Sequence, residues 1–95
     1  MNGFYLVGRI KGSPEKVETS SGIPLCRIRL AVAKANKDQE EEILEVVLFR
    51  SLAEDRYEDG QYIAVNGRIQ ANNFEKEDVT YYHANLIGNS VTLIS

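Results

Sequence analysis

The chain has no tryptophan, one cysteine, one histidine and two prolines in 95 residues, and each shortage removes a class of explanation. A single cysteine, Cys26, cannot close an intramolecular disulfide. It lies in an alternating apolar run rather than in exposed electropositive surroundings, so it reads as a small core residue and not as a reactive thiol. His83 has no second histidine, cysteine or carboxylate at metal-ligand spacing, and no metal site is expected. No apolar run approaches the ~18 residues of a membrane span and no basic-then-apolar leader opens the chain, which predicts a cytoplasmic protein with no membrane partner. Nucleophile–base pairs, phosphate-cradling glycine loops, dinucleotide fingerprints and paired catalytic acids are missing as well. Neither an enzyme nor a cofactor is expected.

A basic excess is also lacking, since the net charge is -3. Taken alone, this argues against a surface for polyanions. The distribution argues the other way. Residues 1–37 carry seven Lys/Arg against two acids, residues 38–78 carry four against twelve, and the remainder are uncharged. Such asymmetry can build one basic face on an acidic body, and a ligand responds to charges within a Debye length of about 8 to 10 Å. A mixed solvated surface is the alternative. With 43% hydrophobic residues the chain can bury a core without the staples needed below roughly 40 residues, and its length allows one domain, residues 1–95.

What is present is a near-echo: Val7-Gly8-Arg9-Ile10 returns as Val65-Asn66-Gly67-Arg68-Ile69. Glycine inside a strand gives up side-chain packing, so both sites predict a sharp bend or a close backbone approach. The first strand runs from Phe4 to Lys11, and Lys16 to Thr19 reads as a short edge or extension. After the turn Ser20–Pro24, the residues Cys26, Ile28, Leu30 and Val32 alternate with Arg27, Arg29, Ala31 and Ala33; period two sends the first set inward and the arginines outward. Lys34 to Glu42, ending in Glu40-Glu41-Glu42, has no apolar periodicity and reads as a mobile acidic loop, solvated or facing a basic partner.

The third strand, Ile43 to Arg50, turns Leu44, Val46 and Leu48 inward, which leaves Phe49 outward. Ser51 with Glu54 three residues later has capping-box spacing and predicts a short helix from Ser51 to Tyr57, stopped at Asp59-Gly60. Tyr62 to Asn72 forms the fourth strand with Ile63, Val65 and Ile69 inward. Asn72 to Asp78 reads as a polar loop carrying Phe74. A fifth strand runs from Val79 to about Ile87, and Gly88-Asn89 turns it into a last extended piece, Ser90 to Ile94. Tyr81 and Tyr82 are adjacent, so one points in and one out; a buried tyrosine with its hydroxyl bonded and a stacking platform ranked below the phenylalanines are the two readings. The expected fold is all-β: a five-stranded OB-fold, a Greek-key β-barrel, with one short helix between strands 3 and 4.

In this order the motifs Leu6-Val7-Gly8-Arg9-Ile10, Ser21-Gly22-Ile23-Pro24 before Arg29-Leu30-Ala31-Val32, Val46-Val47-Leu48-Phe49 before Leu52-Ala53-Glu54, and Gly60 before Val65-Asn66-Gly67-Arg68-Ile69-Gln70 resemble the bacterial single-stranded DNA-binding protein family across nearly the whole length. Ser21-Gly22-Ile23-Pro24-Leu25-Cys26 and His83-Ala84 also look like the primosomal replication protein B group. The resemblance implies sequence-independent binding of single-stranded DNA in replication, recombination or repair, near the nucleoid. It implies a homo-oligomer, dimer or tetramer, and replication or primosome proteins as further partners. A replication-restart factor and a protein-interaction barrel with little DNA affinity are the alternative functions. The family's glycine-, proline- and glutamine-rich linker and acidic tip have no counterpart before Ser95, and the recruitment they perform is not carried over.

By the same resemblance Phe49 and Phe74 fall where the family stacks bases. Phe49 could instead cap the barrel mouth and Phe74 could sit in a subunit contact. Phosphates would be met by Arg9, Lys11, Arg29, Lys34 and Arg68, then by Arg27, Lys37 and Arg50. Three departures from the family pattern weaken the expected binding. Asn36 and Ile43 stand where many members have tryptophan, Glu45 shares a face with Phe49 where relatives often have arginine, and the helical segment is about a turn short.

Overall fold

The alternation read from Cys26 to Leu30 forms the centre of the molecule. Cys26, Ile28 and Leu30 are enclosed, whereas Arg27 and Arg29 between them are exposed. The computed structural model describes residues 2–34 and 37–95, the side chains of residues 37–39 and of Tyr82 excepted. Its elements are β1 (Phe4–Ile10), β2 (Glu15–Glu18), β3 (Pro24–Lys34), β4 (Lys37–Phe49), α1 (Ser51–Glu54), β5 (Tyr62–Lys76) and β6 (Val79–Leu93). Neighbours follow the order β1-β5-β6-β4-β3-β2, and β1 also pairs with β3. Five strands therefore close a ring, with β2 as an exposed edge on β3. All pairings are antiparallel except β4 with β6, which run parallel through Val46↔Leu86 and Val47↔Ile87. A parallel pair needs a crossover, and α1 with β5 supplies it. The architecture is the all-β OB-fold expected from the sequence.

Ile10, Leu30, Val46, Leu48, Ile63 and Val65 fill the ring, and Ala53 of α1 closes one end with Leu52 and Tyr57 packed against it. Each fully buried branched side chain contributes about 1.5 to 3 kcal/mol. The echoed glycines mark close approaches. A Cβ on Gly8 would stand 2.7 Å from the Ala31 carbonyl oxygen, where β1 meets β3 to close the ring. A Cβ on Gly67 would run into the Ile87 carbonyl oxygen at the β-bulge between Asn66 and Gly67. Side chains are excluded at both points because two backbones already occupy the space.

Five expectations need correction. The acidic stretch before Ile43 is not a loop: β4 begins at Lys37 and pairs with β3 through Val32↔Glu42 and Ala33↔Glu41. A backbone ladder needs no apolar side chains, and this end of the hairpin has Glu40 to Glu42 exposed. The stretch around Phe74 is likewise strand. β5 continues to Lys76 and turns to β6 through Glu77 and Asp78, both left-handed (φ 53 and 63), as a two-residue hairpin turn requires. Beyond Gly67 the strand β5 pairs with β6 alone, so Ile69, expected inside, is 38% exposed. Gly88-Asn89 is no turn: β6 runs unbroken to Leu93 and absorbs the irregularity as a bulge, Asn89 being the unpaired residue between Gly67↔Gly88 and Asn66↔Ser90.

The capping box does not form either. The Arg50 amide donates to the Pro24 carbonyl at 3.0 Å, which holds the chain in the β3–β4 ladder until Arg50. Arg50 (φ 58) then takes the cap position without a side-chain bond, and Ser51 becomes the first residue of a helix that ends at Glu54. Among the described residues no helix is long and apolar enough to cross a membrane. Tyr57, past the helix, donates its hydroxyl to the Leu52 carbonyl at 2.7 Å. Burial, with the Asp55 charge and then Cys26 adding to it, pushes Tyr57 up to about 12.

Two outcomes follow for stability. Gly67→Ala should cost about 2 kcal/mol in urea unfolding, the scale of forcing extra volume into a packed site, with Gly22→Ala as a strained but uncrowded comparison. Folding holds the Tyr57 proton more tightly than the unfolded chain does, so its contribution is complete below pH 10 and lost as pH rises toward about 12. Urea midpoints across that window should fall less steeply for Tyr57→Phe than for the wild type.

Candidate nucleic-acid interface

Register alone assembles a row of side chains across the outside of the ring. Arg68 of β5 stands opposite Ile87 of β6, Ile87 beside Val47 of β4, Val47 opposite Arg27 of β3, and Arg27 opposite Glu15 of β2. Side chains alternate between faces, so residues two positions along build parallel rows on the same surface. One such row joins Gln70 and Asn85 to Glu45 and Arg29; another pairs Phe49 with Leu25.

Because β4 and β6 pair at only two positions and then diverge, a trough opens along their seam. Phe49 and Leu25 stand at one end of a shallow groove of about 370 Å³, Val47 and Ile87 form its floor, and Gln70, Asn72 and Asn85 line the β5–β6 side. A second hollow, between Ile43 and His83, shares Glu45, Val47 and Asn85 with the first, so the two are continuous. Phe74 carries the line onto the hairpin. Its ring stacks on Tyr81, directly opposite in register, with centroids 5.1 Å apart and planes at 15°. His83 adds a third ring 6.1 Å from Phe74 at 24°. Phe74 and Tyr81 are 45% and 44% exposed, so ring surface stays open to solvent.

The expected site residues divide by place. Phe49 lies on the outer face, half-buried at the end of the groove, and Phe74 lies in the ring stack on the same face. Arg27 lines the groove, Arg68 ends the same row on β5 and Arg29 occupies the adjoining row; neither Arg29 nor Arg68 joins an ion pair among the described residues. Lys11 is exposed and its amide donates to the Arg29 carbonyl at 2.9 Å, which extends the Arg29 row onto β1. Arg9 sits opposite Ala31 with its guanidinium 3.3 Å from Glu41. Lys34, near the far end of the β3–β4 hairpin, lies 3.2 Å from Glu40, and Arg50 stands exposed at the junction with α1. The side chain of Lys37, and Asn36 altogether, fall outside the described residues.

Charge on this face is mixed. Arg27 donates to Glu15 at 2.8 Å, and its Nε lies 3.8 Å from Glu45. Exposed pairs of this kind hold about 0 to 1 kcal/mol and exchange readily. Ile43, 46% exposed beside His83, offers an apolar but non-aromatic surface where the resemblance expected a ring.

Tyr81, ranked below the phenylalanines as a stacking platform, is the direct partner of Phe74, and that pairing, with His83 and the amides Gln70, Asn72 and Asn85, was not foreseen from the sequence. The signal was there. Folding Gln70-x-Asn72-x-Phe74 back onto Tyr81-x-His83-x-Asn85 about the pair Glu77-Asp78 puts all six side chains on one face. The turn lacks the glycine or asparagine that advertises such a hairpin.

Residues 1–94 match the profile described as the single-strand binding protein family. The chain is 28% identical to the single-stranded DNA-binding protein of Aquifex aeolicus (strain VF5), an alignment covering 100% of this chain and 71% of that protein. It is 30% identical to single-stranded DNA-binding protein 1 of Staphylococcus aureus (strain Mu50 / ATCC 700699), over 99% of this chain and 65% of that one. Single-stranded DNA-binding protein 2 of Streptococcus agalactiae serotype III (strain NEM316) is 27% identical over 98% and 76% of the two chains. The chain thus spans about two thirds to three quarters of the length of these relatives. With the closed ring of strands and the outer trough in agreement, the chain belongs to the single-strand binding protein family.

Proposed function

We propose that this chain binds single-stranded DNA without sequence preference, laying bases on Phe49 and on the Phe74–Tyr81 stack while arginines beside the trough meet the phosphates. The observation that supports it most is the sharing of one outer face by these rings and by Arg27, Arg29 and Arg68, a juxtaposition that register imposes. Every base has a flat face, so stacking is sequence-tolerant, and an aromatic platform is worth about 1 to 3 kcal/mol per base. The amides of Gln70, Asn72 and Asn85 suit sugars and base edges, being donors and acceptors without charge. Arg9 and Lys11 would extend the cationic path onto β1, with Lys34, Lys37 and Arg50 as outlying contacts. The relatives' names agree with this ligand.

The finer reading is a homo-oligomer, dimer or tetramer, working on single strands exposed in replication, recombination or repair, in the cytoplasm near the nucleoid and within reach of replication or primosome proteins. Tyr5, Val7 and Tyr62 support the oligomer. They share the outer face of β1 and β5 and are 68%, 44% and 45% exposed, which leaves apolar area for a second copy to cover. Several barrels on one strand would raise the effective concentration of each without any new contact.

Labelled oligo-dT titrated at two salt concentrations, with a duplex control, tests the reading. Binding to dT should exceed binding to duplex. If three or four phosphates are met per barrel, the log–log salt slope should lie near about -2 to -3 per site, from roughly 0.7 per phosphate on a single strand. Phe49→Ala should weaken binding by about 5- to 150-fold, the equivalent of one lost base stack. Equal affinity for duplex, or binding that Phe49→Ala leaves untouched, would remove the proposal.

A further inference from the structure

Of the cations on the outer face, Arg27 has the most crowded surroundings. Glu15 approaches it from β2 at 2.8 Å and Glu45 approaches from β4 at 3.8 Å. Glu45 also stands directly opposite Arg29 in register, so one carboxylate reaches the neighbourhood of both β3 arginines. Its position along the trough matters as much. Glu45 lines both the hollow that ends at Phe49 and the one that ends at Ile43 and His83, and its side chain is 49% exposed. A strand running from the Phe49 end toward His83 must pass it. Other acids of the face lie elsewhere: Glu41 and Glu40 pair with Arg9 and Lys34 on the projecting β3–β4 hairpin.

Building on the DNA-binding reading, we propose that Glu45 is an affinity-setting residue: an internal carboxylate that competes with phosphate for Arg27 and Arg29 and so keeps the single-site affinity low. The competition is electrostatically sound. A carboxylate and a phosphate oxygen offer a guanidinium the same charge-assisted acceptor, and only one can hold a given N–H at a time. Phosphate must therefore displace Glu45 before Arg27 is fully available, and it meets like-charge repulsion in the same place. Glu15 holds Arg27 from the edge strand, outside the trough, and adds to the restraint without lying in the path. A device of this kind makes occupancy depend on several barrels acting together, because each alone releases its strand easily.

Oligo-dT titrations of wild type, Glu45→Gln, Glu18→Gln and the double variant Glu45→Gln/Arg27→Ala separate the possibilities. Glu18 is exposed on the opposite face of β2 from Glu15, so its variant changes net charge equally but not the trough. Glu45→Gln keeps the side-chain shape, and its fold is checked by circular dichroism. At low salt it should bind dT about 5- to 20-fold more tightly, the scale of one close unscreened charge interaction near a surface. Its salt slope should be steeper by about 0.7, for one further phosphate met. Glu18→Gln should shift binding by no more than about 2-fold, since its charge is exposed and screened. The double variant should lose most of the gain, because the freed arginine is what supplies it. Wild-type binding with no gain in Glu45→Gln, or an equal gain in Glu18→Gln, would overturn this inference and leave the DNA reading standing. Failure of every variant to bind dT would overturn both.

Discussion

Two thin backbone contacts close this molecule, and the rest depends on them. β1 meets β3 through Arg9↔Ala31 and Ile10↔Leu30, and β4 meets β6 through Val46↔Leu86 and Val47↔Ile87. Each has two residue pairs where the other ring contacts have many more. Thin contacts hold only if the backbones come fully together. Gly8 allows it at the first, where any Cβ would meet the Ala31 carbonyl, and Gly88 allows it near the second, where a Cβ would stand 2.5 Å from Leu48 Cδ2. Closure in turn encloses Ile10, Leu30, Val46 and Leu48, whose burial is the main favourable term opposing the entropy of ordering the strands.

The outer face is a consequence of the same closure. Strands alternate strictly, so enclosing Ile28 and Val46 obliges Arg27, Arg29, Val47 and Glu45 to face outward. The shortness of the β4–β6 contact then leaves a seam that widens away from Val46, and the trough is that seam. Phe49 falls at its end because β4 stops there, held by the Arg50 amide on Pro24. Position on this face is therefore set by the core rather than by contacts among the outer side chains. Exposed ion pairs such as Arg27–Glu15 are too weak to organise it, and for that reason they can be exchanged.

Legibility in the sequence followed burial. Where one face is enclosed, as from Cys26 to Leu30, period-two alternation told inside from outside, and the two echoed glycines announced close approaches that the backbone confirms. Where both faces are wet, the pattern has no apolar set to display. The ends of both long hairpins, Lys37 to Glu42 and Asn72 to Lys76, fall in stretches that read as loops although both are strand: Asn72 to Lys76 pairs at every position, and Lys37, Glu41 and Glu42 pair with β3 across an irregularity. Glu77 and Asp78 hid the second turn by taking left-handed angles that glycine or asparagine normally signals. The failure of the Ser51–Glu54 box has a different origin: a tertiary hydrogen bond at Arg50 outweighed a local capping preference. At the site, Phe49 and the β3 arginines were readable because they share strands with the core, while Tyr81 and His83 required the hairpin register first.

An acidic protein with a trough for a polyanion is consistent once the charges are located. Long hairpins that project beyond a barrel present strand edges and apolar rings, Phe74 and Tyr81 among them, and such edges invite pairing with other copies. Glu40, Glu41 and Glu42 on one hairpin and Glu75, Glu77 and Asp78 on the other put like charges there, so two arms that meet edge to edge repel. Screening confines that repulsion to about 8 to 10 Å at ordinary salt, less than the span of the sheet, so acids at the tips leave the potential near Arg29 and Arg68 largely to local groups. The carboxylate that does reach the trough is Glu45, and it reaches it because alternation on β4 leaves it no other face.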